Sequence, residues 1–378
     1  MSYAKGYLGC DTPKLGFGMM RLPKLEDRSM DMDQICQMVD EFVGAGFTYF
    51  DTAYVYDGGD SEIATSKALV ERYPRDSFTI TTKANAWLGN PNAEQTKQQL
   101  RTSMERLGVD YLDYYLLHAI QDNNRQTYDD YGLWDWIRSL KKEGVVRRWG
   151  FSFHAGPDLL EQLLSKYPDV DFIQLQINYA DMEDPSVQAR ANYEVAKAHG
   201  VPFTVMEPVK GGSLAAPPRA VCKVLEEADP QASFASWAIR YVASMEGVLT
   251  VLSGMSTLEQ VKDNVSYMRD FKPLDAAEHA VIARVQEILG GVHQYKCTEC
   301  HYCMDGCPMG IPIPDFFKAM NRKLIFENEQ DAQRRYNNVA QKAGVNASDC
   351  IQCGQCEAAC PQGLPIIEYL QEVADALE

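Results

Sequence analysis

The 378-residue sequence lacks long apolar runs and has few basic residues, and each absence excludes a class of protein. No apolar stretch approaches the roughly 20 residues that a membrane-spanning helix needs. The first residues, MSYAKGYLGCDTPKLGFG, contain no apolar signal-peptide core, so we expect a cytoplasmic location. With 36 Lys and Arg against 53 Asp and Glu, the formal net charge is −17. This surface favours solubility and disfavours nucleic acid and anionic membranes as partners.

Cysteine is scarce in most of the chain and clustered at its end. Cys10, Cys36 and Cys222 are scattered, whereas eight of the 11 cysteines lie in the last 82 residues at short, regular spacing. Thiols grouped in this way in a cytosolic chain are typical of metal binding rather than of disulfide cross-links.

The first three quarters of the chain alternate short apolar runs with longer amphipathic stretches. Eight such runs are predicted strands, at 14–22, 47–53, 77–84, 111–119, 146–153, 172–178, 202–209 and 247–254. Helices are predicted between them, for example over 31–46, 93–108 and 132–144. Eight β/α units over about 250 residues predict an α/β fold of the (β/α)8 TIM-barrel type. An open doubly wound sheet is the alternative, but no G-x-G-x-x-G follows the first strand.

Four polar residues follow consecutive predicted strands, where a barrel places its chemistry. They are Asp51, Tyr56, Lys83 and His118. Each alone is typical of a turn or a hydrogen-bonded structural residue. Together they favour reduction of a carbonyl, because a cation beside a tyrosine lowers the phenol pKa and the tyrosine then donates a proton. A carboxylate would pair with the lysine, and a histidine would hold the substrate oxygen.

Several segments make the chain resemble the aldo-keto reductases over nearly all of residues 10–270. The segments are FDTAYVYDGGDSEIATSKAL (50–69), TKA (82–84), DYYLLHA (113–119), GFSFHA (150–155), QINYA (176–180) and SGMSTLEQVKDN (253–264). The resemblance implies that Tyr56 is the proton donor, that Lys83 lowers its pKa, that Asp51 pairs with Lys83 and that His118 orients the substrate oxygen.

The same resemblance implies a nicotinamide cofactor, NADP or NAD, extended across the barrel mouth. Positions matching the family's cofactor contacts are Gly18, Met19, Ser152, Gln176, Glu207, Pro208, Val209, Lys210, Gly211, Gly254, Met255, Ser256, Gln260 and Asn264. Within this set, Ser152 and Gln176 match the positions that hold the nicotinamide amide. The residues from Glu207 to Gly211 match the loop that contacts the pyrophosphate, and those from Gly254 to Asn264 match the loop and helix start around the adenosine.

Three positions depart from the family's pattern. Phe153 replaces an asparagine, Met206 replaces the aromatic residue that stacks on nicotinamide, and Gln260 replaces the basic residue that holds the 2′-phosphate. Arginine is the favoured planar partner of phosphate, so its absence leaves the choice between NADPH and NADH open. Lys210 and Lys262 are the lysines available as substitutes.

The C-terminal part has a different pattern. A helix predicted over 275–291 ends at Gly290 and Gly291, and we place residues 1–285 in the barrel and 286–378 in a second domain. That domain has two C-x2-C-x2-C-x3-C-P runs, separated by a long interval with helices predicted at 316–326 and 329–344. The layout resembles the α-helical ferredoxins of redox complexes.

The cysteine spacing predicts two [4Fe–4S] clusters with exchanged fourth ligands. One cluster takes Cys297, Cys300, Cys303 and Cys360; the other takes Cys350, Cys353, Cys356 and Cys307. Two structural zinc sites are the alternative, but these usually use pairs of C-x2-C knuckles. His301, inside the first run, is expected to be a solvated loop residue.

Three functions fit the two parts. The first is an NAD(P)H-dependent reductase of a small aldehyde or ketone whose clusters stabilise the C-terminal part or its docking. The second is a redox subunit that links nicotinamide to a ferredoxin-like protein partner, and the third is an inactive scaffold for electron transfer. The intact set of four residues argues against the third, and of the other two we favour the first, with the second as the alternative. Loops 85–92, 118–132 and 153–158 would form the substrate pocket, where Trp87, Phe153 and Tyr54 either line the pocket or pack the loops.

Overall fold

The computed structural model describes residues 12–86, 92–292, 294–297, 301–360 and 362–378. Within them, eight parallel strands pair in chain order and close into a barrel, because the first strand also pairs with the eighth. The strands are β1 Leu15–Gly18, β2 Tyr49–Asp51, β3 Thr79–Ala84, β4 Leu112–Ile120, β5 Val146–Phe153, β6 Phe172–Gln176, β7 Phe203–Met206 and β8 Val248–Ser253. The barrel prediction is therefore confirmed, and the open sheet is excluded.

Helices follow the strands along the chain. Helix α1 begins after Asp31, whose side chain accepts a hydrogen bond from the backbone N–H of Gln34, and α3 begins after Asn92 in the same way. The helices up to the end of the barrel are α1 Met32–Gly44, α2 Asp60–Thr65, α3 Ala93–Leu107, α4 Arg125–Asp130, α5 Leu133–Glu143, α6 Pro157–Lys166, α7 Ala189–Ala198, α8 Arg219–Ala228, α9 Phe234–Ala243 and α10 Leu258–Met268.

The inside of the barrel is filled by side chains below the rim. Tyr49 stacks on Tyr114 with ring centroids 5.1 Å apart, and Phe172 meets Tyr114 edge-on at 5.5 Å. Leu116 and Leu252 complete this cluster. The barrel therefore has a filled core, and a barrel of this type carries its active site at the C-terminal ends of the strands.

The chain divides into two compact units. One contains the described residues up to Leu214 together with Ala232–His279; the other contains Ala215–Gln231 and the described residues from Ala280 onward. The change of unit falls inside a helix, close to the expected boundary at 285. The sequence did not predict that segment 215–231, which carries α8, belongs to the second unit.

The second unit is helical. Its core stacks Tyr295 on Tyr369 at 3.9 Å, with Phe317 edge-on to Tyr295 at 5.0 Å. Its helices after α8 are α11 Ala276–Gly291, which the unit boundary divides, α12 Tyr302–Asp305, α13 Ile313–Phe326, α14 Glu329–Ala343, α15 Gln355–Ala359 and α16 Ile366–Leu377. A search of the described ranges finds no helix with the length and apolarity needed to cross a membrane.

Candidate active site and cluster site

The four residues predicted for catalysis meet at one rim of the barrel. Asp51 ends β2, Lys83 lies near the end of β3 and His118 near the end of β4. Tyr56 opens a short 3-10 turn, Tyr56–Gly59, directly after β2. Asp51, Lys83 and His118 are buried, and Tyr56 is the most exposed of the four.

Lys83 is the centre of the group. Its Nζ donates to Asp51 Oδ1 at 2.5 Å and to the carbonyl oxygen of Thr52 at 2.7 Å. It also lies 3.4 Å from the Tyr56 hydroxyl and 4.9 Å from the centroid of the Tyr56 ring. The lysine is 1% exposed, so the sequence-predicted partners supply most of its polar surroundings. The Thr52 carbonyl is a contact that side-chain patterns did not indicate.

The ion pair keeps Lys83 charged despite its burial. Burial acts to lower the pKa of the Lys83 ammonium, but the Asp51 charge and the Tyr56 phenol outweigh it and leave the pKa above its ordinary value. Burial raises the pKa of Asp51, and Lys83 opposes this shift. The Gln174 side chain also lies beside the Asp51 carboxylate and favours its charged form.

The Tyr56 pKa differs from the expectation. Burial raises the pKa of the phenol above its ordinary value, and the Lys83 charge acts in the opposite direction without offsetting it fully. Lys83 therefore lowers the Tyr56 pKa as predicted, but the predicted net lowering of that pKa is wrong. The sequence pattern gave no measure of how strongly the rim removes water from this tyrosine.

His118 is a neutral hydrogen-bonding group. Burial lowers its pKa well below the ordinary histidine value, and the charges of Lys83 and His154 add to this effect. Its ring lies 5.7 Å from the Tyr56 ring in an edge-to-face arrangement. A neutral imidazole beside the phenol can donate one hydrogen bond to a substrate oxygen.

An arginine stabilises the turn that carries Tyr56. Arg106 on α3 donates to the carbonyl oxygen of Tyr54 at 3.0 Å and to the buried Glu62 carboxylate at 3.1 Å. Glu62 accepts another hydrogen bond, at 2.6 Å, from Thr82, the neighbour of Lys83. Gly59 has φ +107°, and a Cβ there would overlap the Arg106 guanidinium. This network fixes the Tyr56 turn relative to β3.

The residues predicted to hold the cofactor lie around the same mouth with unequal exposure. Buried members are Met19, Ser152, Pro208, Met255 and Asn264; partly exposed members are Gly18, Gln176, Glu207, Val209, Lys210, Gly254 and Ser256; exposed members are Gly211 and Gln260. The side chains of Met19 and Met255 belong to the apolar core, so only their backbones face the mouth. The Asn264 side chain accepts from the Ser253 hydroxyl at 2.7 Å.

Two glutamines on β6, Gln174 and Gln176, are candidates for holding the nicotinamide amide. Gln174, not Gln176, is the register neighbour of Ser152, and it lies beside Asp51. The Gln176 side chain instead contacts His154. The two-residue spacing of these glutamines places both on one face of the strand, which is the signal that sequence reading left unused.

Charged residues surround the predicted phosphate loops. Arg21, three residues after Gly18, lies 3.8 Å from the Glu207 carboxylate. The Ser256 hydroxyl donates a hydrogen bond to the Arg21 carbonyl oxygen at 2.7 Å. A Cβ on Gly254 would contact the Arg21 side chain at 3.4 Å. Arg21 was not among the basic residues predicted from sequence as partners of a cofactor phosphate. Gln260 accepts from the backbone N–H of Ser256 at 2.7 Å.

Three aromatic residues were predicted either to line the substrate pocket or to pack its loops. Trp87 lies outside the described residues. Phe153 is buried against Phe151 with ring centroids 6.1 Å apart, and the Tyr54 ring lies 4.6 Å from the Arg106 guanidinium carbon. For these two residues the packing interpretation is the better one.

The cysteines surround two spaces in the helical unit. One is lined by Cys350, Cys353, Cys356 and Cys307 together with apolar residues. The other is lined by Cys297, Cys303 and Cys360. Each space therefore combines thiols of one run with the last cysteine of the other, the exchange expected for two-cluster ferredoxins. Cys300 lies outside the described residues.

The lining of both spaces suits a thiolate-held cluster. Ile313 lines both, and the remaining lining is largely apolar. His301, which lines the second space, is exposed, and its Nδ1 lies 3.2 Å from the Met304 sulfur. In the described part of the chain, no three His, Cys, Asp or Glu side chains converge on a single-ion position.

A parallel barrel with a lysine–carboxylate–phenol group at its rim, joined to a thiol-lined helical unit, defines a barrel oxidoreductase with an iron–sulfur domain. Comparison with known proteins agrees. Residues 14–287 match the model of the aldo/keto reductase family, and residues 296–364 match that of the 4Fe–4S dicluster domain. The chain belongs to the aldo/keto reductase family and carries a 4Fe–4S dicluster domain at its C-terminal end.

Individual relatives share the barrel. An aldo-keto reductase of Mycolicibacterium vanbaalenii is 30% identical over 278 residues, 73% of this chain and 88% of the relative. The holo structure of an aldo-keto reductase, AKR11C1, from Bacillus halodurans is 27% identical with a TM-score of 0.57, covering 72% of this chain and 91% of that one. A Klebsiella pneumoniae aldo-keto reductase solved with NADPH shares the fold at 21% identity and a TM-score of 0.59, covering 73% and 91%.

Proposed function

We propose that this protein reduces an aldehyde or ketone to an alcohol with NADPH or NADH, using Tyr56 as the proton donor. The observation that carries the proposal is the position of Lys83, between the Asp51 carboxylate at 2.5 Å and the Tyr56 hydroxyl at 3.4 Å. A buried cation in this place serves a phenol that must lose a proton during the reaction.

Each residue has one task. Bound nicotinamide supplies a hydride to the carbonyl carbon. The Tyr56 hydroxyl donates its proton to the carbonyl oxygen, and Lys83 stabilises the phenolate that remains. Asp51 keeps Lys83 charged and oriented, and neutral His118 donates a hydrogen bond to the same oxygen.

The chain's own residues suit an extended nicotinamide cofactor. Neighbouring atoms approach Gly18 and Gly254 closely: a Cβ on Gly18 would meet the Ser253 carbonyl oxygen at 3.3 Å, and a Cβ on Gly254 would meet the Arg21 side chain at 3.4 Å. Arg21 brings a positive charge beside Gly254, and Lys210 brings one to the loop after β7. A structural relative was solved with NADPH. The proposal covers both cofactors, because Gln260 brings no charge to a 2′-phosphate.

We further propose that the C-terminal domain holds two [4Fe–4S] clusters with the exchanged cysteine sets given above, and that the protein works in the cytoplasm, where clustered thiols stay reduced. In this proposal the clusters stabilise the domain or its docking. The exposure of Cys353 at one cluster space favours a second candidate, transfer of single electrons to a redox protein partner.

The test of the first candidate is Tyr56→Phe in the full chain, prepared without oxygen and assayed on a panel of short-chain aldehydes and ketones. Carbonyl reduction is expected to fall by about 10²–10⁴-fold while NADH or NADPH affinity changes little. Wild-type rates in the variant would remove the proton-donor role. Shortening the chain is a poor test, because Ala215–Gln231 belongs to the same unit as the cysteine runs.

The second candidate predicts a different signal. NADH or NADPH added anaerobically to the full chain would bleach the visible absorption of the clusters within the turnover time. Unchanged absorption during continuous carbonyl reduction would support the first candidate alone.

A further inference from the structure

Two buried polar residues after β6 hold the loop that follows β7. The Asn178 Nδ2 donates to Asp181 Oδ2 at 2.7 Å and to the carbonyl oxygen of Glu207 at 3.2 Å. The other Asp181 oxygen accepts from Lys210 Nζ in a salt bridge whose carboxylate is 0% exposed. Neither Asn178 nor Asp181 was among the catalytic or cofactor-binding residues predicted from sequence.

The loop itself has an unfavourable backbone. Glu207 has φ +58° and Lys210 has φ +50°, and Gly211 follows at +65°. Residues other than glycine adopt this left-handed region only where their surroundings hold them, and such residues cluster at ligand-binding loops. The contacts from Asn178 and Asp181 reach these same two residues, Glu207 through its carbonyl oxygen and Lys210 through its ammonium.

We propose that Asp181 is a positioning residue for the phosphates of the nicotinamide cofactor and acts through Lys210. This inference rests on the proposed function and on the family resemblance, which implies that the loop Glu207–Gly211 contacts the pyrophosphate of the cofactor. By pairing with Lys210, Asp181 holds the loop in its left-handed conformation before the cofactor arrives. A loop ordered in advance loses less freedom on binding, so the affinity for the cofactor is higher.

We expect the loop to open when the residue at 181 has no charge. An uncharged residue there removes the buried carboxylate that pairs with the Lys210 ammonium, and leaves Asp184 as an acidic group that interacts with this lysine. We expect the ammonium then to turn towards water and to displace the backbone of the loop. A purely structural ion pair would lower stability without changing the cofactor affinity or the local exchange of the loop.

The test compares Asp181→Asn with Glu183→Gln in the full chain. Glu183 lies in the same turn, but its ion pair with Arg190 is exposed and does not involve the loop. Two quantities are measured: hydrogen exchange of the amides of residues 207–214 without cofactor, and the Kd of NADH and NADPH. In Asp181→Asn we expect faster exchange in the loop and a Kd raised at least tenfold; in Glu183→Gln we expect neither.

A double-variant comparison shows whether Asp181 acts through the lysine. If it does, Asp181→Asn changes the Kd little in a Lys210→Met background, where no buried ammonium remains to be left unpaired. This comparison also serves if the single Asp181→Asn variant fails to fold.

The outcomes separate the inference from the proposed function. Wild-type protein that binds neither NADH nor NADPH overturns both. Wild-type binding together with unchanged loop exchange and unchanged Kd in Asp181→Asn overturns only the inference, as does a full Asp181→Asn effect in the Lys210→Met background.

Discussion

Lys83 lies with its Nζ 3.4 Å from the hydroxyl of Tyr56, held there by its salt bridge to Asp51. Its charge acts to lower a phenol pKa that burial raises, so the two effects oppose each other at the same oxygen. The balance between them decides how readily Tyr56 gives up a proton. Removing the charge leaves burial unopposed.

We therefore expect Lys83→Met to slow carbonyl reduction by about 10²–10⁴-fold, because the phenolate loses its stabilising cation. Steady-state kinetics with saturating NADPH or NADH measures the change. Lys141→Met is the matched control, since Lys141 also pairs with an aspartate, Asp171, but on helix α5 outside the barrel. Equal rates for the two variants would show that Lys83 has no role in the reaction.

The turn after β2 offers a second test with a close control. Gly59→Ala adds a Cβ that overlaps the Arg106 guanidinium at φ +107°, whereas Gly58→Ala, at φ +67°, meets nothing within 4 Å. Both variants carry the general strain of a left-handed alanine, about 1–3 kcal/mol each. Only the first displaces the Arg106 guanidinium, which donates to the Tyr54 carbonyl oxygen and to Glu62, so we expect its kcat to fall at least tenfold below that of Gly58→Ala. The same kcat in both would show that Arg106 does not position the turn.

The sequence predicted the barrel because strand and helix periods alternate eight times, and it predicted the four rim residues because each stands at a strand end. What it left out depends on distant contacts. Arg21 reaches Glu207, and Asp181 reaches Lys210, across gaps of many residues that no local pattern encodes. The net direction of the Tyr56 pKa also depends on how much water the assembled rim excludes, which the motif does not contain.

His118 gives a pH-dependent test. Its pKa lies well below the ordinary value of about 6.5 because the ring is buried near Lys83 and His154. Histidine-ring NMR should show His118 neutral from pH 8 to below 6.5. A ring that titrates near pH 6.5 would contradict the geometry.

The same shift affects stability. Near pH 6 the unfolded chain binds more protons at this position than the folded chain does, so the stability that neutral His118 provides is lost as the pH falls below 6.5. His118→Asn should remove that part of the pH dependence, by at most about 1.4 kcal/mol per pH unit. The comparison of wild-type and variant unfolding at pH 7.5 and 5.5 measures it.

The cysteine sets predict the iron content. Cys303 lines one cluster space, so Cys303→Ser should reduce iron from about eight to about four per chain in protein prepared without oxygen. Cys222→Ser, on α8 and outside both runs, should leave iron unchanged. Unchanged iron in Cys303→Ser, or a loss of all of it, would contradict two separate clusters with these ligands.

The proposed reaction is direct hydride transfer from the nicotinamide to a carbonyl, with Tyr56 as the proton source. This hydride transfer is tested with cofactor that carries deuterium at the transferable position of the nicotinamide. The experiment uses the full chain without oxygen and an aldehyde or ketone from the panel that the protein is found to reduce. We expect one deuterium on the alcohol carbon for each cofactor oxidised, and labelled alcohol that forms about 10²–10⁴-fold more slowly with Tyr56→Phe. An alcohol whose carbon carries hydrogen from solvent would contradict direct hydride transfer, because the electrons would then have reached the substrate by another route.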